Sequence, residues 1–174
     1  MKKTTKPNYQ KALKALAKGN NRIIYAESKT PGALLVCDGH IIITVPEFEF
    51  EFFKESNPKM YFDHMQNIAD YMEYKPEMEP VTMTTIEINF QADAKATIFK
   101  SKSGKFLSCV NSKFIELVKL TGYGDCFNYC KAINRKNPIC YNDGAGCGFV
   151  LLPINIDASE ILNNVLDFNY YRGW

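Results

Sequence analysis

Histidine is scarce in this chain, which has two, and there is one tryptophan. A histidine-rich metal site or a histidine-centred relay therefore has little to draw on. Charge of one sign is also lacking. The 21 basic and 19 acidic residues leave a formal net charge of +2. That supports nucleic-acid binding only if basic residues gather on one face. No stretch approaches the roughly 18 consecutive apolar residues that span a bilayer, so a membrane is not an expected partner. The polar start, Met1 to Pro7, has no apolar segment behind it and predicts no secretory signal peptide. A cytoplasmic location is expected, with the six cysteines as reduced thiols. No P-loop or Gly-x-Gly-x-x-Gly pattern is present. Gly144, Gly146 and Gly148 precede a strand pattern, whereas a phosphate loop precedes a helix. Internal repeats and low-complexity tracts are missing as well.

What remains is an ordinary globular composition. Apolar residues make up 46% and charged residues 23%, enough for one core in one domain. The spacing of Ala12, Leu13, Leu16 and Ala17 predicts a helix from Pro7 to Lys18, ended by Gly19. Lys11, Lys14 and Lys18 share its other face. Strands are expected at 22–28, 33–37 and 40–45, with Asp38-Gly39 as a turn. The alternation of Glu47, Glu49 and Glu51 with Phe48, Phe50 and Phe52 has period two and predicts that the last strand continues. Residues 54–80, punctuated by Pro58, Pro76 and Pro80, read as an insertion carrying a short helix. In it Tyr61, Met65, Ile68 and Met72 recur at helical spacing. Val81 to Phe90 alternates with a phase slip after Thr85. A hairpin is expected around 101–104. Asn111 caps a helix from Ser112 to Thr121. Strands at 125–133, 138–141 and 148–156 follow. Residues 157–174 are expected to form a tail that starts helix-like and ends in aromatic residues. Two rounds of helix followed by antiparallel strands predict an α+β domain over 1–156, with both helices on one side of the sheet.

Few residues suggest catalysis. Cys37, Asp38 and His40 supply the letters of a nucleophilic site but sit in one turn, whereas catalytic partners meet through the fold. His64 lies beside Asp63 in the insertion. The Glu47–Glu51 alternation lacks the oxygen-rich loop of a cation site. Cys126 and Cys130 have the close spacing of a zinc pair, but Cys140 and Cys147 are too far apart for a tidy second one. A zinc protein or metal-dependent enzyme built on these four cysteines is the alternative to a binding protein. No motif asks for a cofactor.

One block resembles a known family. Val110-Asn111-Ser112-Lys113-Phe114-Ile115-Glu116-Leu117-Val118, a strand into an Asn-capped helix, is followed by three strands and by Phe149-Val150-Leu151-Leu152-Pro153-Ile154-Asn155-Ile156. This is similar to the last half of the third domain of the bacterial polymerase III β subunit, the DNA sliding clamp. There the final strand carries Met-Pro-Met-Arg-Leu, and here Asn155 replaces the arginine. Asp38-Gly39-His40 echoes the family's Asp-Gly-His. The resemblance covers about a third of the chain, or half with the first helix and strands. It implies a DNA-clamp-like domain and a non-catalytic accessory role in DNA replication or a mobile element. It also implies a peptide pocket lined by Val150, Leu152, Pro153 and Ile154. Lys11, Lys14, Lys18, Lys113 and Lys119 would face DNA without sequence preference. A clamp ring has six such domains, so a homo-oligomer is implied. Asn164-Val165-Leu166-Asp167-Phe168 loosely imitates a clamp-binding peptide, and residues 157–174 are therefore a candidate occupant of the pocket.

Overall fold

Asn8 and Asn111 open the two helices on which the strands are laid. The computed structural model describes residues 6–156. The Asn8 side chain accepts from the Lys11 N–H at 3.0 Å, and helix α1 runs Tyr9–Ala17. Asn111 accepts from the Lys113 N–H at 3.1 Å, and helix α3 runs Ser112–Lys119. Each cap satisfies an amide that the first turn leaves without a partner. Pro7, expected inside the first turn, lies ahead of the cap and rests near Gly122 instead.

After α1 come strands β1 (Arg22–Glu27), β2 (Ala33–Cys37) and β3 (Ile41–Pro46). After α3 come β8 (Cys130–Ala132), β9 (Ile139–Asn142) and β10 (Gly148–Leu151). Between them lie helix α2 (Glu47–Glu55) and strands β4 (Tyr61–His64), β5 (Glu79–Gln91), β6 (Ala94–Ser101) and β7 (Leu107–Asn111). All ten strands join one sheet in the order β4-β1-β2-β3-β10-β9-β8-β5-β6-β7. About the β3–β10 pair the three strands on either side run in mirrored order, β1-β2-β3 and β10-β9-β8. The unit α1-β1-β2-β3 meets the unit α3-β8-β9-β10 across the antiparallel pair β3 and β10. The α+β class is as the sequence predicts, with both capped helices in one core on one face of the sheet.

Alternation along the strands divides the apolar residues into three cores. Ile23, Leu34, Val36, Ile41, Ile43, Phe149 and Leu151 pack with Leu13, Leu16, Phe114 and Val118 of the helices. The residues between them, including Leu35, Ile42 and Val150, point the other way. They are covered there by a 3-10 helix at Gln66–Met72, through Ile68 and Met72. The third core lies on β6 and β7 around Ile98 and Cys109, and takes in Ile86, Ile88, Phe90, Ile154 and Ile156. The phase slip read in Val81–Phe90 has a structural meaning. The pairing of β5 with β6 shifts register between Met83 and Glu87. Val81 and Met83 therefore join the main core, and Ile86, Ile88 and Phe90 the third.

Four local expectations are corrected. Glu47–Glu51 is helix, not strand. Pro46, with φ −61°, suits a helix entry, and Phe50 and Phe53 bury together at spacing three. Their burial stabilises by about 2 kcal/mol each. The period-two pattern misled because Phe48 and Phe52 are exposed while Phe50 is buried. The described residues thus hold a third α-helix, α2, ahead of the expected insertion, whose own short helix is 3-10. The sheet is mixed rather than purely antiparallel, because β4 runs parallel to β1. The segment 54–80 carries that strand as well as its 3-10 helix, whose inward residues are Ile68 and Met72, with Tyr61 and Met65 exposed. Within 125–133 only Cys130–Ala132 is strand, preceded by a 3-10 turn at Phe127–Tyr129. The expected tail helix lies outside the described residues. Among the described residues, no helix is long and apolar enough to cross a membrane.

Thr44 and Gly148 join the two units at depth. The Thr44 hydroxyl donates to the Gly148 carbonyl at 2.9 Å and accepts from the Gly148 N–H at 2.8 Å. Gly148 has φ +148°, and a Cβ there would stand 2.1 Å from the Tyr141 carbonyl oxygen. Gly148→Ala is expected to destabilise the protein by about 3 kcal/mol or more, through backbone strain at a buried junction. Chemical denaturation monitored by circular dichroism measures this.

Candidate functional site

The strand after Gly148 does more than fill the core. Its Leu152 N–H donates to the His40 carbonyl at 2.9 Å, and two residues on the Ile154 N–H donates to the Cys109 carbonyl at 2.7 Å. The segment thus ties the β3 end of one unit to β7. Two hollows flank it. One, of about 340 Å³, is lined by Ile24, Ile42, Ile68, Tyr71, Val150 and Leu152, with His40 and Pro138 beside them. The other, of about 290 Å³, is lined by Phe90, Lys113, Phe114, Leu152, Pro153 and Ile154, with His40 and Asn111 beside them. His40 and Leu152 belong to both, so the hollows share a divide.

The four residues assigned to partner binding by resemblance are therefore brought together around one surface feature. Their roles differ. Val150 is buried, at 4% exposure, and forms floor. Leu152 is 40% exposed and offers an apolar edge to solvent. Pro153 and Ile154 reach only the second hollow. Sequence reasoning missed Ile68 and Tyr71. The first carried a signal in the helical spacing with Met72, but nothing showed that this segment would fold over β10. Tyr71, 54% exposed, carried none.

His40 is placed in the site as a wall. Its ring stacks on Phe114, with centroids 6.4 Å apart and 21° between planes. The Lys113 ammonium stands 5.0 Å from the same Phe114 ring centroid. The neighbouring polar groups serve the turn: Asp38 accepts from the His40 and Ile41 N–H groups at 2.8 and 3.1 Å, and the Cys37 sulfur accepts from the Gly39 N–H. His64 pairs with Glu27 at 2.7 Å and meets Tyr25 edge-on, while its neighbour Asp63 pairs with Arg22. The bond from His64 holds the Glu27 carboxyl below its ordinary value.

Of the lysines assigned to DNA, Lys11, Lys14, Lys18 and Lys119 lie on or at the ends of helices packed on the sheet face opposite Val150, while Lys113 also lines the second hollow. Helices α1 and α3 pack side by side, the Asn8 N–H donating to the Leu120 carbonyl at 2.8 Å. Lys11, Lys14, Lys18, Lys113 and Lys119 are all exposed. Lys119 pairs with Glu116 at 2.6 Å, and Lys113 leans on Phe114. Among the described residues, no ion pair involves Lys11, Lys14 or Lys18.

The cysteines are dispersed. Cys130 faces the main core, Cys140 the core beneath the 3-10 helix, and Cys147 the Ser28 hydroxyl at 3.4 Å. Cys126 and Cys130 flank the 3-10 turn instead of sharing a strand face. Burial pushes the Cys140 thiol up to about 12 and raises Cys37 and Cys130 as well. All three stay protonated near neutral pH, whereas a ligand or nucleophile must be thiolate. Among the described residues, no three His, Cys, Asp or Glu side chains gather to hold a metal ion.

Cys126 is the partly exposed thiol of the six. Iodoacetamide on the native protein at neutral pH is expected to alkylate Cys126 well ahead of the other five, with the rest reacting only after unfolding. Peptide mass spectrometry over a time course reads this directly. In comparison with known proteins, no family model matches the chain, and neither does any curated protein or solved structure.

Proposed function

We propose that this chain is a non-catalytic, clamp-like accessory protein of DNA replication or of a mobile element, and that it holds a partner peptide along the Val150–Ile154 segment. The observation that carries this reading is the pair of hollows about Leu152, the first on the sheet face away from α1 and α3 and the second beside Phe114 and Lys113 of α3. An extended peptide is the ligand such a feature suits. Two adjacent hollows take two side-chain anchors, and burying a Leu or Phe anchor in each supplies most of the affinity. The mirrored order of the three strands on either side of the β3–β10 pair supports the clamp-like part. Two helix-plus-three-strand units abut at β3 and β10, with their capped helices side by side.

The probe is a fluorescent pentapeptide with a leading Gln and downstream Leu and Phe, titrated with the full chain by anisotropy. Saturable binding is expected. Leu152→Asp should weaken it at least tenfold, about 1.4 kcal/mol, without changing the circular dichroism spectrum. Tyr71→Ser, in the lining of the first hollow, should weaken it too. A wild-type chain that does not bind the peptide, or binding indifferent to both substitutions, overturns the reading.

A second reading is favoured by the unpaired lysines of α1. Lys11, Lys14 and Lys18 with Lys113 can neutralise phosphates without reading bases. Four phosphate contacts predict that affinity for a labelled duplex falls on the order of a hundredfold between about 50 and 200 mM salt. Anisotropy across that range measures the slope, and a flat response removes DNA from this face.

A further inference from the structure

The most anomalous surface of the molecule is the outer side of α2. Phe48 is 72% and Phe52 61% exposed, one helical turn apart on the same helix. Two solvated aromatic rings side by side are unusual on a protein that uses its surface alone. Beside them runs a second row at the same spacing, Glu47, Glu51 and Glu55. Like charges four residues apart disfavour a helix, and Glu55 also sits in the last turn, against the helix dipole. Lys54, the helix's one cation, turns away and stands 5.8 Å from the Tyr25 ring. Among the described residues, no ion pair involves Glu47, Glu51 or Glu55. The face is therefore acidic, aromatic and uncovered.

Its complement lies next door. Helix α1 packs beside α2, where the Gln10 amide donates to the Glu49 carbonyl at 2.8 Å and to its carboxylate at 2.7 Å. Both helices bury their inner residues in the same core, Leu13 and Leu16 from α1, Phe50 and Phe53 from α2. Both outer ridges thus point away from the sheet. The α1 ridge presents Lys11, Lys14 and Lys18 around the small, exposed Ala15. It is basic where α2 is acidic, and shallow where α2 carries protruding rings.

We infer that this chain associates with a second copy of itself through the α1–α2 face, α2 of each protomer against α1 of its partner. A two-fold axis brings each ridge to its opposite twice, which is the self-complementarity that a symmetric dimer requires. The Glu row meets the Lys row. Phe48 and Phe52 settle over the partner's Ala15, where the lysine stems cover ring edges and the ammonium groups lie near ring faces. Each ring buries most of its area there, which supplies the apolar centre that charges alone do not. Steering by the charges makes the association salt-dependent. The lysines engaged are those of the DNA reading, so dimer and duplex compete for one face.

Sedimentation equilibrium on the full chain tests this. The wild type is expected to be a dimer at low salt and to dissociate progressively as salt rises. Phe48→Ser with Phe52→Ser should weaken association at least tenfold. Both rings are exposed, so an unchanged melting temperature confirms that folding is intact. Two charge-reversed chains decide the matter: Glu51→Lys with Glu55→Lys, and Lys14→Glu with Lys18→Glu. Each alone should sediment as a monomer, and an equimolar mixture should recover the dimer mass. A wild type that stays monomeric at every soluble concentration overturns the proposal. So does a dimer unaffected by these substitutions, or a mixture that does not reassociate. A monomer that instead binds a lysine-rich amphipathic peptide through Phe48 and Phe52 assigns the face to a foreign basic partner and overturns the second copy.

Discussion

Thr44 and Gly148 are 104 residues apart in sequence, and two buried hydrogen bonds between them hold β3 against β10. Both the hollow over Val150 and the side-by-side helices are placed by that junction. It sets the register in which Ile42 faces Val150, and hence the floor of the first hollow. It also sets α1 and α3 side by side, because each helix is anchored over its own three strands and those strands meet only here. The glycine is obligatory because no side chain fits between β10 and the Tyr141 carbonyl. One residue without a Cβ thus sets the relation between the hollow over Val150 on one face and Lys11 and Lys14 on the other.

Local chemistry was legible in the sequence where a residue's role is settled by its near neighbours. Asn111 was read as a cap, whereas Asn8, the cap of α1, was placed inside a helix expected to start at Pro7. The phase slip after Thr85 was visible as a change in the parity of apolar residues, and the structure turns it into a change of core. The groove was legible in part. Val150, Leu152, Pro153 and Ile154 came from resemblance and do gather, but Ile68 and Tyr71 come from a segment whose position over β10 depends on long-range pairing of β4 with β1. The α2 segment shows the opposite failure. Three phenylalanines at period two look like one face of a strand. Only the spacing of Phe50 and Phe53, together with the proline ahead of them, distinguishes a helix that buries one stripe and leaves its other rings in water.

The helical side of the molecule is electrically divided. Lysines crown α1, carboxylates crown α2, and the formal net charge of the whole chain is small. A polyanion approaching this side meets attraction over one helix and repulsion over the next. A second copy turned through half a revolution meets attraction over both. The hollow over Val150 takes no part in this contest, since it opens on the far face of the sheet, and the other is lined by α3 rather than by α1 or α2. Self-association and peptide capture are therefore compatible in one molecule.

The bond from Ile154 to Cys109 bears on how the chain is made. During synthesis β1, β2 and β3 emerge early and can pair with one another, yet β3 has no partner on its other side until β10 follows about a hundred residues later. Over that interval a hydrophobic strand edge with Ile41, Ile42 and Ile43 stays open to strands of other chains. Final closure waits until Leu152 and Ile154 have bridged to His40 and Cys109. Such late, distant pairing slows folding. The nascent chain, more than the finished protein, is the form that needs protection from aggregation.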